Sequence, residues 1–259
     1  MKKEKLTIIK VGGKIVEDES ALRRLLADFS TMDGKKLLVH GGGRSATALA
    51  ARLGIETKMV DGRRITDDAM LEVVVMVYGG LVNKRIVAGL QAVGVNAVGL
   101  TGADMDVVLS VRRPAGKVDY GWVGDVRRVN ADAVSMLIEN GCCPVIAPIT
   151  HDGEGHLLNT NADTMAGATA KALAQRYEVE LVYCFEKAGV LSDGNDDDSV
   201  IKEINSCKYK ELKDSGVVSG GMIPKLDNAF ACISAGVSRV VITRADLIAD
   251  ADAGTKIVG

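Results

Sequence analysis

The sequence has no excess of charge of either sign: 32 Lys and Arg stand against 34 Asp and Glu, for a formal net charge of −2. A nucleic-acid-binding domain carries a basic footprint, and a disordered chain has too few apolar residues to fold. With 47% apolar and 25% charged residues, neither class fits, and the expected partner is a small molecule. Long hydrophobic runs are missing too. The strongest, Val73 to Val82, falls well short of a bilayer span and is followed by Asn83, Lys84 and Arg85. The start, MKKEKLTIIKVGGK, is basic, but its apolar stretch is only four residues and is broken by Lys10, so no signal peptide is expected. A cytoplasmic protein without membrane partners follows.

Metal and disulfide patterns are also lacking. Five cysteines make an odd number with no C-x-x-C spacing, and three histidines complete no zinc pattern. Reduced, structural thiols and no protein-held metal are expected, with His151 and His156 solvated in the polar loop HDGEGH. No G-x-x-x-x-G-K-[ST] occurs, which excludes a P-loop enzyme, and no G-x-G-x-x-G follows the first strand, which disfavours a dinucleotide site.

What is present is strand and helix in alternation. Apolar runs at 6–11, 36–39, 95–100, 144–148, 179–185 and 239–243 read as strands. Most are continuous rather than alternating, the mark of a parallel sheet covered on both faces. Helical spacings fall between them: Leu22, Leu25, Leu26 and Phe29; Ala46, Leu49, Ala50 and Leu53; Met165, Ala168, Thr169 and Ala172; Leu226, Ala229, Phe230 and Ile233. The expected architecture is a three-layer α/β/α sandwich with a mainly parallel central sheet. At 259 residues it fits one large domain or two lobes on one sheet, divided near residue 175 into 1–175 and 176–259. Residues 67–92 form a long helix that is apolar nearly all round at its middle, and a subunit interface is the expected cover. Two segments break the alternation: TKMVDGRRITD, with an Asp-Gly turn, and a ribbon from Val107 to Val129.

Two strands end in consecutive glycines, in IIKVGGK and KKLLVHGGGR. Ligands of open parallel sheets bind beyond the carboxyl ends of the strands. Glycine there exposes backbone N–H groups that can hold oxyanions. The two turns are therefore candidate phosphate or oxyanion cradles facing one cleft. Lys10, charged within an apolar strand, is costly to bury unless it emerges at a site. Lys225 follows paired glycines in SGGMIPK, where Pro224 helps to start a helix. NTNAD, residues 159–163, opens another helix, with one Asn free to cap it and Asp163 suited to its first turn.

Together IIKVGG, HGGG, DGRRIT, NTNAD, GGMIPK and the terminal GTKI, in this order and spacing from about residue 6 to the end, resemble the acetylglutamate kinases of the amino-acid kinase family. The resemblance implies the amino-acid kinase, or carbamate kinase-like, fold. It also implies transfer of the ATP γ-phosphoryl group to the side-chain carboxylate of an N-acyl-L-glutamate, the second step of arginine biosynthesis. Lys10 and Lys225 would stabilise the transition state, and Asp163 would hold the lysines. Gly42, Gly43, Arg64 and Asn159 would bind the acylglutamate. Gly12, Gly13, Glu186, Gly189, Val217, Val218, Ser219, Gly221 and Met222 would bind ATP, with Mg2+ carried by its phosphates. The sequence departs from the family pattern at Glu186, where Asp is usual, at Lys187 beside it, and in an ending without the usual His-Arg pair.

Carbamate and uridylate kinases stay open as alternatives on the same fold, as does a non-catalytic amino-acid or nucleotide sensor. Glutamate 5-kinase and aspartokinase carry a further domain for which this chain has no room. The acyl group, acetyl or succinyl, has no motif that reports it. Arginine-inhibited members join dimers into hexamers through an extra amino-terminal helix. The five residues before Leu6 are too few for one, so the expectation is an arginine-insensitive homodimer.

Overall fold

The structure, a computed structural model, describes residues 3–60 and 62–259. Asp61 of the expected Asp-Gly turn lies outside the described residues. So do residues 1 and 2 of the segment on which the arginine expectation rests.

The central sheet has eight strands. Read from one edge to the other they are Glu203–Ile204, Thr255–Ile257, Arg239–Arg244, Glu178–Phe185, Lys5–Val11, Lys35–His40, Cys143–Ile146 and Ala97–Leu100. Every neighbouring pair is parallel except Arg239–Arg244 with Thr255–Ile257. The six strands expected from the apolar runs are all present within one or two residues of their expected ends. The two short strands at the Glu203–Ile204 edge were not expected, since two or three residues leave no run to read.

Side chains alternate across a strand, and the central strand shows why the run had to be apolar throughout. Leu6 and Ile8 join Leu37, Val39 and Leu181 in a core covered by the helices Ala131–Glu139, Ala162–Leu173 and Met222–Ser234. Ile9 and Val11 join Leu38 and Val182 in a second core under the helices Glu19–Thr31 and Gly43–Arg52 and the long helix Asp68–Ala92. The three-layer reading is thus correct. Caps fix the helix starts: the Asp18 carboxylate accepts from the N–H groups of Ser20 and Ala21, and Asn130 accepts from Ala133 N–H. One expected core position fails. Leu53 keeps the helical spacing, yet it is 55% exposed, because it falls on the C-cap, where the helix leaves the sheet.

The long helix is continuous over Asp68–Ala92, but its middle, Val75–Val82, widens into a π-helix. By length and composition it could cross a membrane; in the fold, Met70, Val73, Val74, Val77, Ile86 and Leu90 are instead buried in the second core. A second sheet, with strands Leu157–Asn159, Ile149–His151, Val108–Arg112 and Gly124–Val129, lies apart from the first. It contains the expected ribbon. It also corrects the reading of HDGEGH, which is a turn between two antiparallel strands. His151 there is not solvated: its Nε2 stands 2.9 Å from Asp106 Oδ1 and its side chain is only 19% exposed.

The sheet runs without interruption through residue 175, since Lys5–Val11 pairs along its whole length with Glu178–Phe185. The parallel strands all point one way, so Val11, His40, Ile146 and Phe185 finish along one edge of the sheet.

Candidate active site

The two glycine turns meet beyond that edge. Gly41 N–H donates to the carbonyl of Val11 at 2.9 Å. A Cβ on Gly41 would stand 3.4 Å from the Gly13 nitrogen, and one on Gly13 would stand 3.6 Å from the Gly43 nitrogen. The turns are glycine-rich first of all because they pack backbone against backbone. Gly42 has an additional reason: its φ of 173° is open to any residue, but a Cβ would come 2.8 Å from the Tyr78 ring.

Two clefts share Gly43. The first, about 810 Å³, is lined by Gly41, Gly42, Gly43, Arg64, Tyr78, Arg113, Asp125 and Asn159 among others. The second, about 1110 Å³, is lined by Lys10, Gly12, Gly13, Lys14, Arg44, Phe185, Glu186, Lys187, Gly189, Met222 and Lys225 among others. Residues from both sides of position 175 build it.

Lys10 lies in the middle of the sheet, not at an edge, and its side chain is 10% exposed. Its Nζ stands 2.7 Å from Asp163 Oδ1. The angles fall outside hydrogen-bond geometry, so this buried oxygen has an ionic contact but no hydrogen-bond partner. Asp163 is placed by Asn161, whose side-chain oxygen accepts from the N–H groups of Asp163 and Thr164 at 2.9 and 3.0 Å. The two asparagines of NTNAD therefore divide the work. Asn161 caps the helix, and Asn159, buried, donates through Nδ2 to Thr66 Oγ1 at 3.0 Å.

Lys225 Nζ lies 3.8 Å from the centroid of the Phe185 ring, and Lys10 Nζ is 6.0 Å from the same ring. Burial lowers the Lys225 pKa, with Asp163 pulling upward and the charge of Lys10 downward. Phe185, Lys14 and Arg44 had no sequence signal as site residues. Phe185 ends a strand expected from its apolar run, two residues beyond Tyr183, the register partner of Lys10. On the wall of the second cleft Glu186 is the only carboxylate among the described residues, and it stands 3.0 Å from Lys14 Nζ. A cleft so poor in carboxylates offers a divalent ion no ligand set of its own, which fits a metal held by nucleotide phosphates.

Arg64 is buried, and four of its N–H donors are occupied. Nη2 donates to the Gly43 carbonyl at 2.7 Å and to Thr47 Oγ1 at 2.9 Å; Nη1 reaches Thr57 Oγ1 at 3.3 Å and Met70 Sδ at 3.8 Å. A carboxylate bound there in a fork would have to displace some of these partners. Arg113 sits nearby in a two-pronged pair with Asp125, and that arginine holds the Asp125 carboxyl below its usual range. Gly189 has a packing reason to be glycine, since a Cβ would approach Thr255 Oγ1 to 2.7 Å. Of the other expected nucleotide residues, Met222 lines the second cleft, whereas Val217, Val218, Ser219 and Gly221 are not on its wall. Val218 is core, with its N–H donated to the Leu212 carbonyl.

A parallel α/β sheet whose strand ends gather lysines and glycine N–H groups around two joined clefts defines an enzyme that handles anions. The chain belongs to the amino acid kinase family, whose model matches residues 5–244. It is 69% identical to the acetylglutamate kinase of Phocaeicola vulgatus, covering 95% of this chain and 96% of that one. It is 64% identical to the acetylglutamate kinase of Bacteroides fragilis, over 98% and 97%. A crystal structure from Streptococcus mutans is 30% identical over 98% of each chain, with a TM-score of 0.78. The carbamate kinase of Giardia lamblia bound to AMP-PNP, at 14% identity and a TM-score of 0.70 over 99% and 98%, shares the fold alone. The resemblance read from the six motifs stands, and the chain is a kinase of this family.

Proposed function

We propose that this kinase phosphorylates the side-chain carboxylate of an N-acyl-L-glutamate, acetyl in the first instance, as the second step of arginine biosynthesis. The observation that carries the reading is the pair of clefts joined at Gly43, one with Arg64 and Asn159, the other with Lys10 and Lys225. Its neighbours in sequence are named for the same activity.

A carboxylate is already ionised at pH 7 and needs no general base. The obstacle is bringing two anions together. The acceptor oxygen forms a bond to the γ-phosphorus while the bond from that phosphorus to the β-phosphate oxygen breaks, leaving ADP. Lys10 and Lys225 flank the transferring group and offset the charge that accumulates there. Asp163 holds Lys10 in place. Gly12, Gly13, Glu186, Gly189 and Met222 bind the nucleotide, and Mg2+ carried by the phosphates would supply further positive charge. Gly42, Gly43, Arg64 and Asn159 bind the acylglutamate. Residues 1–175 form the acylglutamate lobe and 176–259 the nucleotide lobe, with Lys10 to Lys14 reaching across.

The cytoplasmic enzyme is a homodimer in this reading, its subunits meeting at the long helix. There Met76 is 49% and Leu81 45% exposed, and exposed apolar side chains clustered on one helix mark an interface. ADP release with acetylglutamate, succinylglutamate and free glutamate side by side tests the substrate. Acetylglutamate should be the best acceptor, and preference for free glutamate would sink the reading.

A further inference from the structure

The chain has a single tryptophan, Trp122, and it stands where three segments of the first cleft come together without being on the cleft wall itself. Its N–H donates to the Thr66 carbonyl at 2.7 Å, and its own carbonyl accepts from Asn159 N–H at 2.8 Å. Thr66 N–H in turn donates to the Tyr120 carbonyl at 2.9 Å. Next to it Gly121 has φ +71°, and a Cβ there would lie 2.2 Å from the Thr66 carbonyl oxygen, so the approach of the two segments admits no other residue. Thr66 is two residues from Arg64, and its hydroxyl accepts from Asn159 Nδ2 at 3.0 Å.

The indole fixes this crossing from the side. Its Nε1–H donates to Asp68 Oδ1 at 2.5 Å, in the first turn of the long helix. The Arg112 guanidinium lies 4.3 Å from its centroid and is itself tied to the Gly121 carbonyl at 3.0 Å. The His156 ring stacks on it at 5.2 Å, and His156 Nδ1 is held by Asp152 Oδ2 at 2.7 Å. The indole thus ties together the long helix, the ribbon and the Ile149–Asn159 hairpin, while the backbone of the same residue holds Thr66 and Asn159. The Leu157–Asn159 strand and the Arg63–Arg64 strand have no ladder to each other or to the central sheet, so the Thr66–Trp122–Asn159 crossing is the backbone link between Arg64 and Asn159.

We infer that Trp122 is a positioning residue for the acceptor: its indole, anchored to Asp68, fixes the crossing at which its backbone bonds Thr66 and Asn159, and so sets the spacing of Arg64 and Asn159 across the first cleft. The inference rests on the reading of that cleft as the acylglutamate site. A residue of this kind acts on acceptor binding and leaves the nucleotide side alone.

The test compares Trp122→Phe, Trp122→Ala and Asp68→Ala in steady-state assays with acetylglutamate and ATP. Loss of one hydrogen bond to a charged partner corresponds to about a tenfold change. Trp122→Phe and Asp68→Ala should each raise the acetylglutamate KM about five- to tenfold, Trp122→Ala more, with the ATP KM unchanged. The double variant of Trp122→Phe and Asp68→Ala should be little worse than either alone, since both remove the same bond. Equal increases in both KM values, or full additivity in the double variant, would overturn the inference. Hydrogen exchange keeps it testable whatever the acceptor proves to be. In Trp122→Phe the Thr66 and Asn159 amides should exchange about tenfold faster while those of Lys5–Val11 do not change. A wild-type enzyme inactive on acetylglutamate would end the substrate reading without touching this measurement. Unchanged Thr66 and Asn159 exchange would end the positioning role.

Discussion

Asp163 Oδ1 lies 2.7 Å from Lys10 Nζ, and burial with only this ionic contact makes the pair a device for holding charge rather than a closed hydrogen bond. The lysine remains able to turn a proton toward an incoming phosphoryl oxygen. Lys225, over Phe185, completes the arrangement from the other side.

If these lysines act as charge develops, their removal must appear in the chemical step. Lys10→Ala and Lys225→Ala should each lower kcat by about 10²–10³-fold while changing the KM values much less. Steady-state kinetics decide it, and near-normal kcat in either variant would remove that lysine from the mechanism.

The lowered pKa of Lys225 gives a second, independent handle. Burial is the main cause, and Asp163, ahead of Glu186, is the larger charge that opposes it. Asp163→Asn takes the larger opposing charge away, so the Lys225 pKa falls further and the active ammonium form is lost at a lower pH. The alkaline limb of kcat/KM should move toward neutrality in that variant. Lys225→Arg, which cannot deprotonate in this range, should have no such limb. An alkaline limb at the same pH in all three proteins would show that another group titrates there.

The parts of the fold that were legible in the sequence are those whose cause is local. Ile8, Ile9 and Val11 announce a strand buried on both faces, and Lys10 inside that run announces a site because a charge there needs a reason. The parts that were hidden depend on distant neighbours. His151 reads as solvated until Asp106, forty-five positions earlier, comes to 2.9 Å. Phe185 looks like one more apolar strand residue until Lys225 lies over it. The tightness of HGGG is legible as glycine, but its reason, the Tyr78 ring on a different helix, is not.

That ring supplies a steric prediction. Gly42→Ala would place its Cβ 2.8 Å from Tyr78 Cδ1, and Tyr78 is buried at 5% exposure. Overpacking of this kind costs about 1–3 kcal/mol, so thermal unfolding should come several degrees lower. Tyr78→Phe keeps the ring and should not rescue the variant, whereas Tyr78→Val should recover part of the loss. Rescue by Phe, or none by Val, would place the strain elsewhere.

His40 links the same glycine turn to acid stability. It is fully buried, its Nδ1 donates to the Gly41 carbonyl at 2.8 Å, and its Nε2 accepts from Asn83 Nδ2 at 3.1 Å, so the neutral ring satisfies both partners. Burial pushes its pKa down to about 4 from 6.5. Between those values the unfolded chain binds a proton that the folded one refuses, and stability must fall as the pH drops from about 6.5 to about 4. The full effect is about 3 kcal/mol, from 1.4 kcal/mol per pKa unit. His40→Gln, which can keep a donor and an acceptor but does not titrate, should be less stable at pH 7 and lose less on acidification. Denaturant unfolding at pH 7, 5.5 and 4.5 measures both proteins. Parallel losses for wild type and His40→Gln would mean that the carboxylates, and not this histidine, set the acid limit of the fold.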